Sequence, residues 1–541
     1  MQENSKLSVL VIDPNPGLRG SLQNMLNQAN ITKIEFAVSS GTAIKQLAKK
    51  SYDIILCEYD LSGAEDGQDG QQLLEDLRHH RLIGMWTIFI MITSEAVYSK
   101  VVSAAELTPT DYILKPFTVD VLSQRIARAI ERRTAFLPTY QLIGQGNMRA
   151  AIRSCVQSER THPRYAGEFA RLRAELHMSV GELAEAEAIY TSILEIKPVG
   201  WAMLGHARTL FMQERYEEAK ETLTKIVVDN PRFMAAYDLL ARTHETLGHP
   251  EAAKKVLEDA VAVSPHVIRR LRNLGAVALE AQDLGAAEKA YKQVVAKAKY
   301  SEFRDPEDHV NLTRTLVRKG DTAGAGGVIR DLEKSLRGNP NLDACKAVSN
   351  ALLFEAAGNA EAAVNELNAA VGALKTSNGL SAGFKIGLAK SCLDHRLDDA
   401  ASQVMLDALS DDNVTMAQAM NVFVKAGRPE LADVMTTALK RHVAELLSVA
   451  SEKSRMNDHR GAVQTLSDAL HMAPGNMQVM IALASAILRQ IDELGWDHPL
   501  GELCAKQIED IRTLDPAHSQ LGHLVDQFNA AKRKYGIAGG A

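Results

Sequence analysis

A chain of 541 residues with 46% hydrophobic and 24% charged residues has room for several folded domains and a large buried core. A net charge of -6 and a pI near 6.3 exclude global attraction to nucleic acid or to an anionic membrane. The cysteines, Cys57, Cys155, Cys345, Cys392 and Cys504, are scattered without a CxxC pair, which excludes a zinc site or disulfide framework and suits a reducing compartment. The opening MQENSKLSVLVID lacks a basic segment followed by a long apolar one, and no stretch is apolar for long enough to span a bilayer. A soluble cytoplasmic protein is expected.

The first 134 residues alternate strand and helix patterns. Leu7 to Ile12 reads as a strand ending in Asp13, and Leu18 to Gln28 as a helix with Leu18, Leu22, Met25 and Leu26 on one face. Ile34 to Val38 is a second strand and Ser40 to Lys50 a second helix. Ile54 to Cys57, bounded by Asp53 and Glu58, reads as a strand buried on both faces. Helices at Gln71 to His79, Val97 to Glu106 and Val119 to Arg133 alternate with strands at Thr87 to Ile92 and Asp111 to Leu114. Five strands alternating with five helices predict a doubly wound α/β domain with a parallel sheet.

In such a sheet the chemistry lies beyond the carboxyl ends of the strands. Those ends carry Asp13, Glu58, Thr93 and Lys115. Carboxylates facing a hydroxyl and an ammonium suit a phosphoryl group with a divalent ion. Singly, each residue is as well explained as a turn, cap or surface charge. Together, at four strand ends, they point to one site.

This segment resembles the receiver domain of two-component response regulators. The matching residues are Asp13, the acceptor position Glu58, the hydroxyl of Thr93 and the run Leu114 to Phe117, LKPF. Tyr112 fits the aromatic switch position, and Lys115-Pro116 fits the Lys-Pro pair whose peptide bond is usually cis. The resemblance implies phosphoryl transfer from a histidine kinase to an aspartate with Mg²⁺ bound. The hydroxyl and the aromatic ring then shift. It also implies a homodimer through the receiver as one mode of assembly.

Two departures change that expectation. Glu58 stands where the aspartate should be, and Pro14 replaces the second acid after the first strand. A glutamate is one methylene longer, so its carboxylate reaches towards Thr93 and Lys115 and partly imitates a phosphorylated aspartate. Asp13 and Glu58 remain as ligands of at most a weak Mg²⁺ site. Asp60 is the alternative acceptor, although its place in a loop suits turning or capping better.

Beyond residue 134 strand patterns stop and alanine-rich helical segments follow. Ala151, Ala186, Ala219 and Ala253 are each followed twelve residues later by Pro163, Pro198, Pro231 and Pro265. Between Pro231 and Pro265, Ala241 and Ala253 allow two antiparallel helices to approach, with Tyr237, Leu240 and Leu257 in the seam and Gly248 at the turn. This pattern, repeating every ~34 residues, resembles tetratricopeptide repeats. From residue 139 to 541 an all-α superhelix of about ten helix pairs is expected. Ala287 continues the series with Lys299 in place of the proline. Looser copies follow at Ala325, Ala363, Ala400, Ala432 and Ala462. Tyr300 to His309 and Leu374 to Gly383 read as inserted loops, and Pro516 as the start of a last helix with a frayed polar tail.

The repeat resemblance implies a protein partner on the concave surface, met by polar residues of the first helices such as Arg208, Arg242 and His244. Most alanine, leucine and tyrosine positions are core. His79 and His80, beside Arg78 and Arg81, read as a solvated face. Arg125, Arg128 and Arg132 suit an acidic partner or, more commonly, the receiver's own acids. No phosphate loop, zinc-protease motif, nucleophile elbow or helix-turn-helix is present, so no catalytic residue, nucleic acid or membrane partner is expected. The expected function is a non-enzymatic signalling adaptor of bacterial two-component type, in which a receiver-like domain (1–134) controls protein binding by the repeats (139–541). A working phosphorelay through Glu58 or Asp60, and a constitutive assembly scaffold, stay open.

Overall fold

The computed structural model describes residues 4–61, 69–94, 109–265, 267–298, 304–409, 416–516 and 518–537. Five strands, β1 (Ser8–Ile12), β2 (Lys33–Ala37), β3 (Ile54–Glu58), β4 (Ile88–Ser94) and β5 (Asp111–Lys115), form one sheet in the order β2-β1-β3-β4-β5. All neighbours are parallel, with Ile12 opposite Cys57, Glu58 opposite Ile92 and Ser94 opposite Lys115. The helices here are α1 (Pro16–Gln28), α2 (Ser40–Leu47), α3 (Gly70–His79) and α4 (Val119–Gly144). The expected helix at 97–106 lies outside the described residues.

Alternation along the strands splits the core into two layers. Val9, Val11, Ile54, Leu56 and Ile90 pack with Leu22 and Leu26 of α1 and Leu122 and Ile126 of α4. Leu10, Ile12, Ile55, Cys57 and Phe89 pack with Ala43 and Leu47 of α2 and Leu73, Leu74 and Leu77 of α3. Both faces of β1, β3 and β4 are covered, which is why these strands read as near-continuous apolar runs, whereas β2 alternates.

The helix expected to stop at Arg133 does not. α4 runs on to Gly144 with Pro138 inside it. Beyond the sheet its apolar face changes hands: Phe136 stacks on Phe169, with ring centroids 3.9 Å apart. By backbone contacts the chain forms two compact units, Met1–Gly144 with Met148–Lys319, and Gln145–Asn147 with Gly320–Ala541.

In the first unit ten α-helices follow α4 among the described residues: α5 (Met148–Thr161), α6 (Ala166–Ser179), α7 (Leu183–Ile196), α8 (Gly200–Met212), α9 (Tyr216–Asp229), α10 (Met234–Thr246), α11 (Pro250–Val263), α12 (Ile268–Glu280), α13 (Leu284–Ala298) and α14 (Pro306–Lys319). The pair α10 and α11 shows the repeat. Ala241, Ala253 and Leu257 are buried between the helices, and Gly248 turns the chain at φ +75°. α14 begins at Pro306, so Pro306 to His309 is helical and not part of an inserted loop.

The second unit continues with helices from Thr322–Ser335 to Leu521–Lys534. Leu374 to Gly383 is largely the expected loop, with a short 3₁₀ turn at Leu374–Thr376 and a helix from Ala382. The short step before Ala462 has a simple cause. Two expected helices are fused into one, Glu430–Arg455, which contains neither glycine nor proline to break it. The last helix starts at Leu521 and not at Pro516. Tyr535 is held rather than frayed, its hydroxyl donating to the Ile491 carbonyl at 3.0 Å. No helix among the described residues is long and apolar enough to cross a membrane.

Candidate functional site

The ends of β1, β3, β4 and β5 bring Asp13, Glu58, Thr93 and Lys115 to one edge of the sheet. Asp13 follows β1 and is 2% exposed. Its Oδ1 accepts from the Asn15 N–H at 2.7 Å, and its Oδ2 has no hydrogen-bond partner among the described residues. Asn15 also caps α1, accepting from the Gly17 N–H, and Pro16 opens that helix. Arg19 Nη1 donates to the carbonyls of Asp13 (2.6 Å) and Pro14 (2.9 Å). Sequence reading missed Arg19, since a basic residue one turn into a helix carries no motif.

Glu58 is 8% exposed. Its Oε1 accepts from the Asp60 N–H at 3.1 Å, and its Oε2 is ion-paired with Lys115 Nζ. Burial pushes the Glu58 carboxyl above the usual range, opposed by Lys115 and the Asp60 amide; nearby Asp13 adds to the rise. Burial likewise raises Asp13, against the Asn15 amide, Lys115 and Arg19. The reach towards Lys115 is therefore realised. The reach towards Thr93 is not: that buried hydroxyl donates to the Ser94 carbonyl at 3.4 Å and makes no hydrogen bond to Glu58 among the described residues. Tyr112 lies half-buried against the core layer of Cys57, Leu61 and Met91, and the Lys115-Pro116 peptide bond is cis.

Magnesium needs hard oxygen ligands, commonly one or two carboxylates with water and phosphate. Both Glu58 oxygens are engaged, one of them by an ammonium, so among the described residues Asp13 Oδ2 is the one uncommitted carboxylate oxygen of the pair. That set does not fit a resident Mg²⁺, and no step is derived through one. Among the described residues no group of three or more His, Cys, Asp or Glu is placed to hold a metal.

At the opposite edge, Asp53 accepts from the Ser8 N–H (3.0 Å) and hydroxyl (2.9 Å) and is ion-paired with Arg133 at 3.0 Å. This ties α4 to the start of β3. Arg125 pairs with the receiver's own Asp111 at 3.0 Å, whereas Arg132 pairs with Glu168 of α6 at 2.6 Å.

Residues 9–127 match the response regulator receiver domain, and residues 239–302 match the tetratricopeptide repeat. The chain carries a receiver domain followed by tetratricopeptide repeats. The receiver is 26% identical over 129 residues to the chemotaxis protein CheY-3 of Vibrio cholerae serotype O1, covering 24% of this chain and 95% of that protein. It is 25% identical over 126 residues to the chemotaxis protein CheY of Pseudomonas aeruginosa, covering 23% and 98%. A crystal structure of a tetratricopeptide repeat protein from Parabacteroides merdae aligns with 50% of this chain and 98% of its own, at 14% identity and a TM-score of 0.32. A receiver domain protein from Clostridium thermocellum aligns with 24% and 97%, at 20% identity and a TM-score of 0.21. Receivers and tetratricopeptide repeats together make a signal-transduction adaptor in general terms, and the repeats are protein-binding modules.

The ion pair at the receiver's strand ends has a measurable weight. Lys115→Ala should cost about 2 kcal/mol at pH 8, because the buried Glu58 carboxylate loses its counter-ion. The folded carboxyl already sits above its unfolded value, so this site's contribution to stability falls as pH rises. Removing Lys115 steepens that fall. Urea unfolding should therefore show a clearly smaller loss at pH 4.5, where the lone carboxyl takes up a proton. An equal loss at both pH values would mean that Glu58 does not depend on Lys115.

Proposed function

We propose that the protein is a non-enzymatic, cytoplasmic signalling adaptor in which the receiver segment (1–134) controls what the repeat segment (139–541) binds. Glu58 holds the phosphoacceptor position, and Asp13, Thr93, Tyr112, Lys115 and Pro116 form its switch and phosphate-site residues. The observation that carries this reading is the Glu58–Lys115 ion pair. It engages, without a phosphoryl group, the lysine that would meet one. The receiver is then held in one arrangement unmodified through Lys115, and a kinase is not needed to reach it.

The test is incorporation of phosphate from acetyl phosphate with Mg²⁺ into the full chain. No stable incorporation is expected at Glu58 or at Asp60. Stoichiometric labelling of either residue would overturn the proposal in favour of a working phosphorelay.

A further inference from the structure

α3 begins where the candidate site ends. The Tyr59 N–H donates to the Ile92 carbonyl at 2.8 Å, and the Gly70 N–H donates to the Tyr59 carbonyl at 2.7 Å. Asp69 caps the helix through the Gln72 N–H at 2.8 Å, while the Gln72 side chain accepts from the Asp69 N–H at 3.1 Å. Leu73, Leu74 and Leu77 then face the sheet. Gln71, Glu75 and Arg78, spaced four and three residues apart, form a separate stripe off the leucine face.

This stripe is not left to solvent. Gln71 is only 8% exposed. Glu75 lies within electrostatic reach of Arg270 and Arg269 at the start of α12, of Asp238 on α10 and of Asp69 on its own side. Arg78 is within reach of Tyr140 and Arg132 on α4 and of Arg171 on α6. His80 is within reach of Arg272, and Tyr59 of Arg232. From one end to the other, α3 lies beside α6, α10 and α12. These are first helices of three of the pairs, with α8 of the intervening pair not among them, and they belong to the row from which partner contacts are expected. Arg270, on that row, is 2% exposed and holds Asp238 through Nε (2.8 Å) and Nη2 (2.9 Å). The receiver and the repeats up to Lys319 belong to one compact unit.

We propose that α3 is the resident occupant of the first-helix face of the repeats, and that a partner gains this face only when α3 leaves it. The inference rests on the adaptor reading above only in taking that face as the one a partner uses. The backbone bonds from Ile92 through Tyr59 to Gly70 give the candidate site a short route to the helix.

Thiol labelling of the full chain tests this. All five native cysteines are buried, so the background is low. Gln71→Cys should react with a maleimide about tenfold more slowly than the exposed control Lys49→Cys. Adding Glu75→Arg places a third positive charge among Arg269 and Arg270, and should speed labelling of Gln71→Cys about tenfold. Adding Arg269→Glu to that variant should slow it again, which simple unfolding would not do. Labelling of Gln71→Cys as fast as Lys49→Cys, indifference to Glu75→Arg, or failure of Arg269→Glu to restore slow labelling would each overturn the proposal. The readout needs neither a partner nor a phosphoryl group, so its failure is distinct from failure of the adaptor reading.

Discussion

Arg272→Ala should destabilise the first compact unit by about 3–5 kcal/mol. Arg272 on α12 grips Asp308 on α14 with two bonds, Nε to Oδ1 and Nη2 to Oδ2, both at 2.7 Å. Asp308 is only 3% exposed. Burial pushes its carboxyl above the usual range even with Arg272 in place, and Asp305 adds to the rise. Without the guanidinium, a carboxylate is left inside the protein with its largest compensation gone. The sign follows from the raised value: this carboxyl favours the folded state at low pH, and its contribution is lost as pH rises. The mutational loss should therefore be larger at pH 8 than at pH 5, read by urea unfolding with tryptophan fluorescence. Arg272→Met with Asp308→Leu should recover much of it, because an apolar pair removes the desolvation cost from both sides. A loss below about 1 kcal/mol for Arg272→Ala at pH 8 would show that water or another cation replaces the arginine.

Gly70→Ala should be the most damaging single methyl in the receiver, at about 3 kcal/mol. A Cβ at Gly70 would stand 2.5 Å from the Glu58 carbonyl oxygen, 2.8 Å from Met91 Sδ and 3.2 Å from Cys57 Sγ. The nearest of these is backbone at the end of a central strand, so it cannot rotate away. Either α3 lifts from the sheet or the Gly70–Tyr59 bond breaks. Gly20→Ala in α1 is the control, since nothing lies within 4 Å of a Cβ there. By removing glycine from a helix interior it should gain about 0.5–1 kcal/mol. Thermal unfolding of the two variants separates space from helix propensity. Equal melting points would mean that the sheet yields at Glu58.

The sheet was legible because its central strands are short apolar runs with polar ends, and the register then carries Asp13, Glu58, Thr93 and Lys115 to one edge without further information. Gly248 and the recurring alanines marked the helix pairs for a similarly local reason. What escaped depends on distant partners. The helix expected to end at Arg133 instead continues through Pro138, because Phe136 and Tyr140 on either side of it pack into one cluster with Phe169. Glu430–Arg455 gave no sign of fusion beyond the missing glycine. Thr93 was matched to Glu58 by reach alone, while its hydroxyl is satisfied by its neighbour's carbonyl. The polar stripe of α3 drew no reading beyond the solvated face given to His79 and His80, because nothing local in QQLLEDLRH says that arginines some 190 residues later stand beside it.

Helix α4 imposes a rule of phase. Ala129 closes the receiver's core layer and Phe136 opens the cluster of the first repeats, both on the same 26-residue helix. Each residue added between them would turn everything beyond by about 100° and advance it by about 1.5 Å. One extra residue would swing Phe136 away from Phe169, whereas seven would return it nearly to its original bearing, two turns further out. The joint between receiver and repeats is thus indexed like a keyed shaft. Its length can vary only in near-whole turns, and a receiver from elsewhere could be spliced on only where its last helix arrives in step.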